Sequence, residues 1–599
     1  MIYHCEDHTC NYWDEGEKLP ERCPQCGRKL LRANETDMTG DDWTALGNTL
    51  WDAEASDKKR MVDCFRKAAY LGSAWGVCNL GICMEQGNGV EADPVQAFWL
   101  YQQAVEMGSL NAVCCLGVCY QYGIGTAPDA EKAAELYCKA AEYGSPRGQM
   151  LLARTFHDGI GVEADAAEAV HWVRAAAYQR YGEGMYRLGV CYEYGDGVEQ
   201  NWEHAVHWFR EAAESGVSTA MTDLGYCYEK GCGVEQSWEQ AFSWYRRGAE
   251  CGDLRSMHNL GYCYEKGCGV EQSWEQAFSW YRRGAECGYP VSMSNLGLCY
   301  KRGYGVEQNW QEAIKWYEQG AQCGDLQSMH NLACCYERGE GVEQNEDRAL
   351  YWYRRGAEAG SDYCMYCLGW NYSNGEGVEQ NMTEAIRWYT AAAEGGNADA
   401  MHDLGWHYDH GEGVEQDMKK AICWYERAAE QNHPAAMNSL GECYAMGRGV
   451  PRDLETAMEW YRRAAELGEA MADYNMGWHL EQAGKLSEAY AHYRKAADGN
   501  DDSAWWALGR FYENGVVVAQ DGKEARRCYE TGEKLGSVKC KMRLARCKLL
   551  GIGGRGEKKA GLDLCRQALE LAKESSEKED YGYEAEMNLL RRTIAENES

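Results

Sequence analysis

The chain is poor in the residues that interrupt helices and in the motifs that announce catalysis. Only 8 of its 599 residues are proline, and phenylalanine is rare (7), although tyrosine (41) and tryptophan (23) are abundant. Scarce proline suits an all-helical chain, and amphipathic aromatics are left to do much of the packing. No run of about 18 apolar residues occurs, and the start Met-Ile-Tyr-His-Cys has no apolar h-region, so neither a transmembrane helix nor a signal peptide is expected. Positive charge is also short. Lys+Arg (61) against Asp+Glu (94) leave a net charge of -33, a field that repels phosphate backbones and anionic membranes. Nucleic acid and membranes are therefore not expected partners. No Gly-x-Ser-x-Gly, His-Glu-x-x-His or Walker A sequence is present. The Ser-x-x-Lys pairs at Ser56/Lys59 and Ser575/Lys578 lack a Lys-Thr-Gly or Ser-Asp-Asn companion, so a penicillin-recognising site is not supported and no enzyme is expected.

Cysteine, in contrast, is plentiful (30). In a long chain without an export signal, the default is a reducing, cytoplasmic setting with buried free thiols. Four cysteines stand apart. Cys5, Cys10, Cys23 and Cys26 give Cys-x4-Cys-x12-Cys-x2-Cys, the second pair inside Cys-Pro-Gln-Cys-Gly. Two such pairs suit a closed tetrahedral Zn(II) site with a structural role, and a segment this small would draw folding free energy from the metal. His4 and His8 flank the first pair, and His8 could replace Cys5 or Cys10. The segment 1–32 resembles a zinc ribbon, and the polar residues 33–40 read as a linker.

From residue 41 the chain repeats. A Gly-x-Gly-Val-like tetrad returns every 36 residues, its second glycine running from Gly89 to Gly449, and from Gly197 to Gly413 it reads Gly-Val-Glu-Gln seven times. Such a period marks a solenoid of one supersecondary unit. Each unit carries two helical patterns. The first holds Leu-Gly followed by cysteine and tyrosine, as in Leu224-Gly225 and Cys227-Tyr228, with the glycine leaving room for a close neighbour. The tetrad ends this helix, because glycine reaches φ > 0 cheaply. A capping residue (Asn201, Ser237, Ser273, Asn309, Asn345, Asn381, Asp417, Asp453) opens the second helix, with capping-box spacing at Ser237/Gln240, Ser273/Gln276, Asn309/Glu312 and Asn381/Glu384. Residues 224–252 and 260–288 are identical, which makes a unique catalytic residue in either improbable.

This pattern resembles the Sel1-like repeat family, a relative of the tetratricopeptide repeat. The resemblance implies an all-α, right-handed superhelical solenoid of about 15 helix pairs over residues 41–570. An apolar stripe of Met587, Leu589, Leu590 and Ile594 implies a capping helix within 571–599. Family members act as adaptors and scaffolds, so the expected function is a non-enzymatic one with protein or peptide partners. By resemblance to the parent repeat, the concave face is lined at fixed offsets from the leucine of Leu-Gly. Two before it stand His258, His330 and His402. Two after it stand Tyr226, Tyr262, Trp370 and Trp406. Six after it stand Lys230, Lys266, Arg302 and Arg338, three of them beside Glu229, Glu265 and Glu337. One reading is a groove whose basic row binds acidic side chains or a peptide C-terminus. The other is that these charges are solvated helix ends complementing the C-terminal dipole and that the histidines are packing residues. Two further alternatives stay open: the N-terminal segment as a recognition head with the solenoid as spacer, and a hydrolase of β-lactam or peptidoglycan type, suggested by family relatives alone.

Overall fold

The computed structural model describes residues 2–5, 13–15, 30–33, 38–51, 55–556, 558–578 and 584–598. Near the N-terminus three short strands, β1 (Ile2–Cys5), β2 (Trp13–Glu15) and β3 (Leu30–Ala33), form an antiparallel sheet in the order β2-β1-β3, with Tyr3 opposite Asp14 on one side and Arg32 on the other. Of the four expected zinc ligands, Cys10, Cys23 and Cys26 lie outside the described residues, and Cys5 is described only as the last residue of β1.

From Gly40 on every described element is an α-helix, and the chain divides into two compact units, residues 1–309 and 310–599. In each unit every helix packs on the next in sequence, as expected of a solenoid whose repeats touch only their neighbours. In the first unit the pairs run from Gly40–Thr49 with Ala55–Tyr70 to Leu254–Lys266 with Trp274–Glu286, and the unit closes with Pro290–Arg302. The second unit opens with Trp310–Gln322, and its pairs run from Leu326–Arg338 with Glu346–Glu358 to Val538–Leu550 with Lys558–Lys578. A last helix, Glu584–Glu598, packs on the final pair through Met587, Leu590 and Ile594. The helix before it, Lys558–Lys578, runs through the expected boundary at 570/571 as the second member of the final pair.

Each repeat closes by the same local chemistry. The first helix of the repeat at Leu224 ends on Gly231 (φ +75°), and Gly233 (φ +68°) lies so close to the preceding second helix that a Cβ would be 2.4 Å from the Trp202 carbonyl carbon. Gln236, the last residue of Gly-Val-Glu-Gln, ties the turn by donating from Nε2 to the Glu229 carbonyl (2.8 Å), and Gln272 does the same to Glu265 (2.7 Å). The second helices are capped as their sequences imply: Asn201 accepts from the His204 amide at 3.0 Å and Asn381 from the Glu384 amide at 3.2 Å. The reciprocal arm expected at Ser237 and Ser273 is replaced. Their hydroxyls donate to Glu239 (3.0 Å) and Glu275 (3.2 Å), one residue nearer than the box requires. A complete box is formed by Thr39 and Asp42, ahead of the first helix.

The glycine of Leu-Gly has a specific task. A Cβ on Gly225 would lie 2.6 Å from the Tyr245 ring, and one on Gly261 the same distance from Tyr281. The close neighbour is thus the tyrosine of the same repeat's second helix. These tyrosines form the buried spine of both units: Tyr101, Tyr137, Tyr245 and Tyr281 in the first, Tyr353, Tyr389, Tyr425, Tyr461, Tyr493 and Tyr529 in the second. The described cysteines are free thiols. The series after Leu-Gly packs in the core, where burial pushes Cys227, Cys263 and Cys299 up to about 12, whereas Cys251, Cys287 and Cys323 are exposed at the ends of second helices.

Candidate partner-binding face

The residues singled out by offset from Leu-Gly all lie on first helices, and their surroundings sort them into two groups. Those two and six positions after the leucine are open to solvent. In the first unit Tyr226 and Tyr262 are 43% and 39% exposed, and in the second unit Trp370 and Trp406 are 47% and 37% exposed. Large aromatic surface of this kind, held rigid on a helix, is the usual material of an interface.

The basic row has an inner partner that the offsets alone do not reveal. Lys230 donates to Glu229 at 2.8 Å, and Glu229 also accepts the hydroxyl of the buried Tyr245 at 2.8 Å. The duplicate repeat copies the arrangement, with Lys266 to Glu265 at 2.8 Å and Tyr281 to Glu265 at 2.9 Å. Each glutamate therefore anchors the core ring on one side and a half-exposed ammonium on the other. Burial and the nearby carboxylate push both phenols up, so these hydroxyls stay protonated donors. In the second unit Glu337 accepts from Tyr353 at 3.2 Å, and burial raises its own pKa. Arg302 and Arg338 are exposed, and among the described residues neither has a carboxylate at ion-pair distance. An exposed lysine–glutamate pair is worth about 0–1 kcal/mol, so Lys230 and Lys266 can exchange partners at little cost.

The histidines form the second group. Each reaches the next repeat, at the residue just before that repeat's leucine. His258 Nδ1 meets Asn295 Nδ2 at 3.5 Å, His330 Nδ1 meets Cys367 Sγ at 4.0 Å, and His402 Nε2 meets Ser439 Oγ at 3.5 Å. The same rung is made by Tyr186 to Asp223 (2.9 Å), Tyr366 to Asp403 (3.1 Å) and Asn475 to Asn438 (3.0 Å). His258 also packs on the rings of Tyr281 and Tyr289, and burial lowers its pKa to about 4. His330 lies 3.5 Å from Cys334 Sγ through Nε2, and His402 stacks on His433 at 5.2 Å. These side chains tie consecutive repeats together. Their partners were missed in the sequence, although a polar residue directly before Leu-Gly recurs at Asp223, Asn295 and Asp403 and signals the rung. Among the described residues no group of three or more His, Cys, Asp or Glu side chains is placed to hold a metal ion, and no helix is long and apolar enough to cross a membrane.

Helix pairs stacked in sequence order, with an exposed aromatic and basic row on their first helices, define a repeat solenoid. The chain belongs to the Sel1 repeat family: the model of that repeat matches thirteen stretches, from residues 76–109 through 254–289 to 504–537. It is similar to c5321, a protective antigen present in uropathogenic Escherichia coli strains displaying an SLR fold, at 32% identity over 75% of this chain and 97% of that one, with a TM-score of 0.51. It is also similar to a Sel1 repeat protein from Oxalobacter formigenes, at 30% identity over 41% of this chain and 96% of that one, with a TM-score of 0.38. No curated protein matches the chain.

Proposed function

We propose that this protein is a non-enzymatic cytoplasmic adaptor that binds proteins or peptides along the first-helix face of its repeats. The observation that carries the reading is the recurrence on first helices of exposed aromatic rings two after the leucine (Tyr226, Tyr262, Trp370, Trp406) and of half-exposed or exposed cations six after it (Lys230, Lys266, Arg302, Arg338), ring and cation sharing a repeat at Tyr226/Lys230 and Tyr262/Lys266. Rings supply contact area, and the cations select acidic side chains or a terminal carboxylate. His258, His330 and His402 support that face by fixing the spacing of its helices. The test is affinity capture with the full chain and with Lys266→Glu plus Arg302→Glu. Loss of captured proteins supports the face as the binding surface, and retention of all of them rejects it.

A second reading concerns the N-terminal segment. Cys5, Cys10, Cys23 and Cys26 are proposed to hold a structural Zn(II), with His8 as a substitute ligand. The cysteine spacing supports this, and so does the antiparallel β2-β1-β3 sheet, which brings the end of β1 opposite Leu30 of β3. Zinc measured in the purified full chain should stand near one equivalent and fall on Cys23→Ser plus Cys26→Ser. An unchanged metal content rejects the assignment.

A further inference from the structure

The aromatic spine of the first unit has a gap. Tyr101, Tyr137, Phe209, Tyr245 and Tyr281 occupy one place in their second helices, each against the glycine of its own repeat's Leu-Gly. Between Tyr137 and Phe209 that place belongs to Val173, and the glycine is replaced by Ala153. Where the ring is missing, a cavity of about 470 Å³ opens among the helices Pro146–Asp158, Ala166–Tyr178 and Gly182–Tyr194. Its size falls within the range of about 300–1,000 Å³ usual for ligand pockets.

The floor is apolar, made by Ala153, Ala169 and Val173. The rim carries Arg147, Arg154 and Arg187 together with His157, Asp158, Glu183 and Asp196. Most of these charges are already engaged. Asp158 pairs with Arg154 (3.4 Å) and His157 (2.7 Å), and Asp196 with His157 (3.2 Å). Arg147 donates to Asn111 at 2.9 Å and to Cys115 Sγ at 3.7 Å, where the Cys78 hydrogen bond and then the Arg147 charge lower the thiol's pKa. Among the described residues neither Arg147 nor Arg187 has a carboxylate at ion-pair distance, and Glu183 is the one rim acid without an ion pair. The mouth thus offers two guanidiniums against one free carboxylate.

We propose that this cavity receives the C-terminal aromatic residue of a partner peptide, its ring in the room left by the absent tyrosine and its carboxylate on Arg147 or Arg187. An aromatic side chain suits an apolar hollow that the other repeats fill with their own ring. A guanidinium binds a carboxylate through two parallel hydrogen bonds. A Cβ on Gly189 would lie 2.6 Å from Phe209, so the Ala153 methyl narrows the hollow without closing it, as the buried Tyr353 opposite Ala333 shows. The exposed arginines of the lining are placed to meet a backbone carboxylate on the same residue. The proposal takes from the adaptor reading only that the guest is a protein, and it fails separately from it.

The experiment is fluorescence anisotropy with the full-length protein and a labelled peptide, Gly-Ser-Gly-Ser-Phe. It is compared with the same peptide as its C-terminal amide, with an alanine-ended version, and with free N-acetylphenylalanine as competitor. The expected result is saturable binding of the acid form, about tenfold tighter than the amide, as one charge-assisted contact requires, and tighter than the alanine-ended peptide. Ala153→Gly plus Val173→Tyr, which rebuilds the chain's own ring, should abolish binding. Arg187→Gln, at an exposed position, should weaken the acid form and leave the amide unchanged, which keeps the test readable if the ring variant fails to fold. Lys266→Glu plus Arg302→Glu should leave this peptide bound. Absence of saturable binding to the wild type, equal binding of acid and amide, or full binding by a folded ring-restored variant overturns the proposal. So does competition by N-acetylphenylalanine at the affinity of the peptide, since the guest would then be a small aryl acid.

Discussion

The repeats built on Leu260 and on Leu152 have helices of the same length, capped at both starts and joined through a Gly-x-Gly-Val turn, yet one is sealed and the other is open. In the first, Gly261 admits the Tyr281 ring, and Glu265 holds its hydroxyl. In the second, Ala153 and Val173 replace glycine and ring, His157 replaces the glutamate, and a cavity results. The final pair of the second unit repeats the coupling, with Ala545 opposite the small, buried Cys565. The repeat at Leu332 separates the two changes, for Ala333 coexists there with the buried Tyr353. Loss of the ring, more than gain of the methyl, is therefore what opens a repeat. The spine resumes at Phe209 because each repeat is closed by its own residues and its immediate neighbours, so a vacancy does not spread.

Removing the ring from the sealed repeat should break this contrast most strongly. Tyr281→Ala deletes a fully buried aromatic and leaves Glu265 with Lys266 alone. The expected cost is about 3–5 kcal/mol, read as lost hydrogen-exchange protection of amides in the helices Leu254–Lys266 and Trp274–Glu286. Protection within 1 kcal/mol of wild type would mean that the ring does not close the repeat.

The duplicated segments sharpen the comparison, because 224–252 and 260–288 are identical while the residue two before each leucine differs: Thr222 in one copy, His258 in the other. Thr222 donates to Asp253 at 2.7 Å, whereas His258 lies against Tyr281, Tyr289 and Asn295, with Glu265 near enough to act on its charge. Burial holds the folded pKa of His258 at about 4, below the unfolded value of 6.5. The unfolded chain therefore takes up the proton first as the pH drops. The stability contributed by the neutral imidazole is complete above 6.5 and is lost between 6.5 and about 4, with a slope of at most about 1.4 kcal/mol per pH unit. His258→Thr, which copies the other repeat, should flatten the stability profile in that window. An unchanged profile would place the titrating group elsewhere. Smaller again is Gly261→Ala. Its Cβ meets the Tyr281 ring at 2.6 Å, but the pairing of Ala333 with Tyr353 shows that a repeat can absorb the methyl. The expected loss is about 1 kcal/mol, measured as a shift of the denaturant midpoint.

What could be read from the sequence was what obeys local chemistry. Glycines at φ > 0, capping residues and the Leu-Gly stripe act within a few residues of themselves, so their spacing alone yields the helix pairs and the exposed positions of Tyr226 and Lys230. The pairing of Gly261 with a ring 20 residues on, and of His258 with Asn295 in the next repeat, depends on packing that no local pattern encodes. The cavity was harder still, because its signal is a side chain that is not there: Val173 in a column of tyrosines. It becomes visible once the spine is traced.

The turns repeat the lesson at lower energy. In the sealed and the open repeat alike, the second tetrad glycine has φ near +70° and lies against the backbone of the preceding second helix; a Cβ on Gly161 would be 2.2 Å from the Ala130 carbonyl oxygen. At the corresponding position after Gly515 the chain has Val517, with φ +63° and 47% exposed. The preceding repeat is the one with the short turn, where Gln482 and Leu486 are separated by three residues. The half-exposed side chain shows that steric contact is relaxed there, so what remains is the intrinsic cost of a left-handed L-residue, about 1–2 kcal/mol and greatest for a β-branched one. Val517→Gly removes that cost and gives part of it back as greater freedom of the unfolded chain. A net gain of about 1 kcal/mol is expected, localised to slower hydrogen exchange at the ends of the helices Asp502–Asn514 and Gly522–Lys534. A loss of protection at those ends would mean that Val517 contributes packing worth more than the strain it carries.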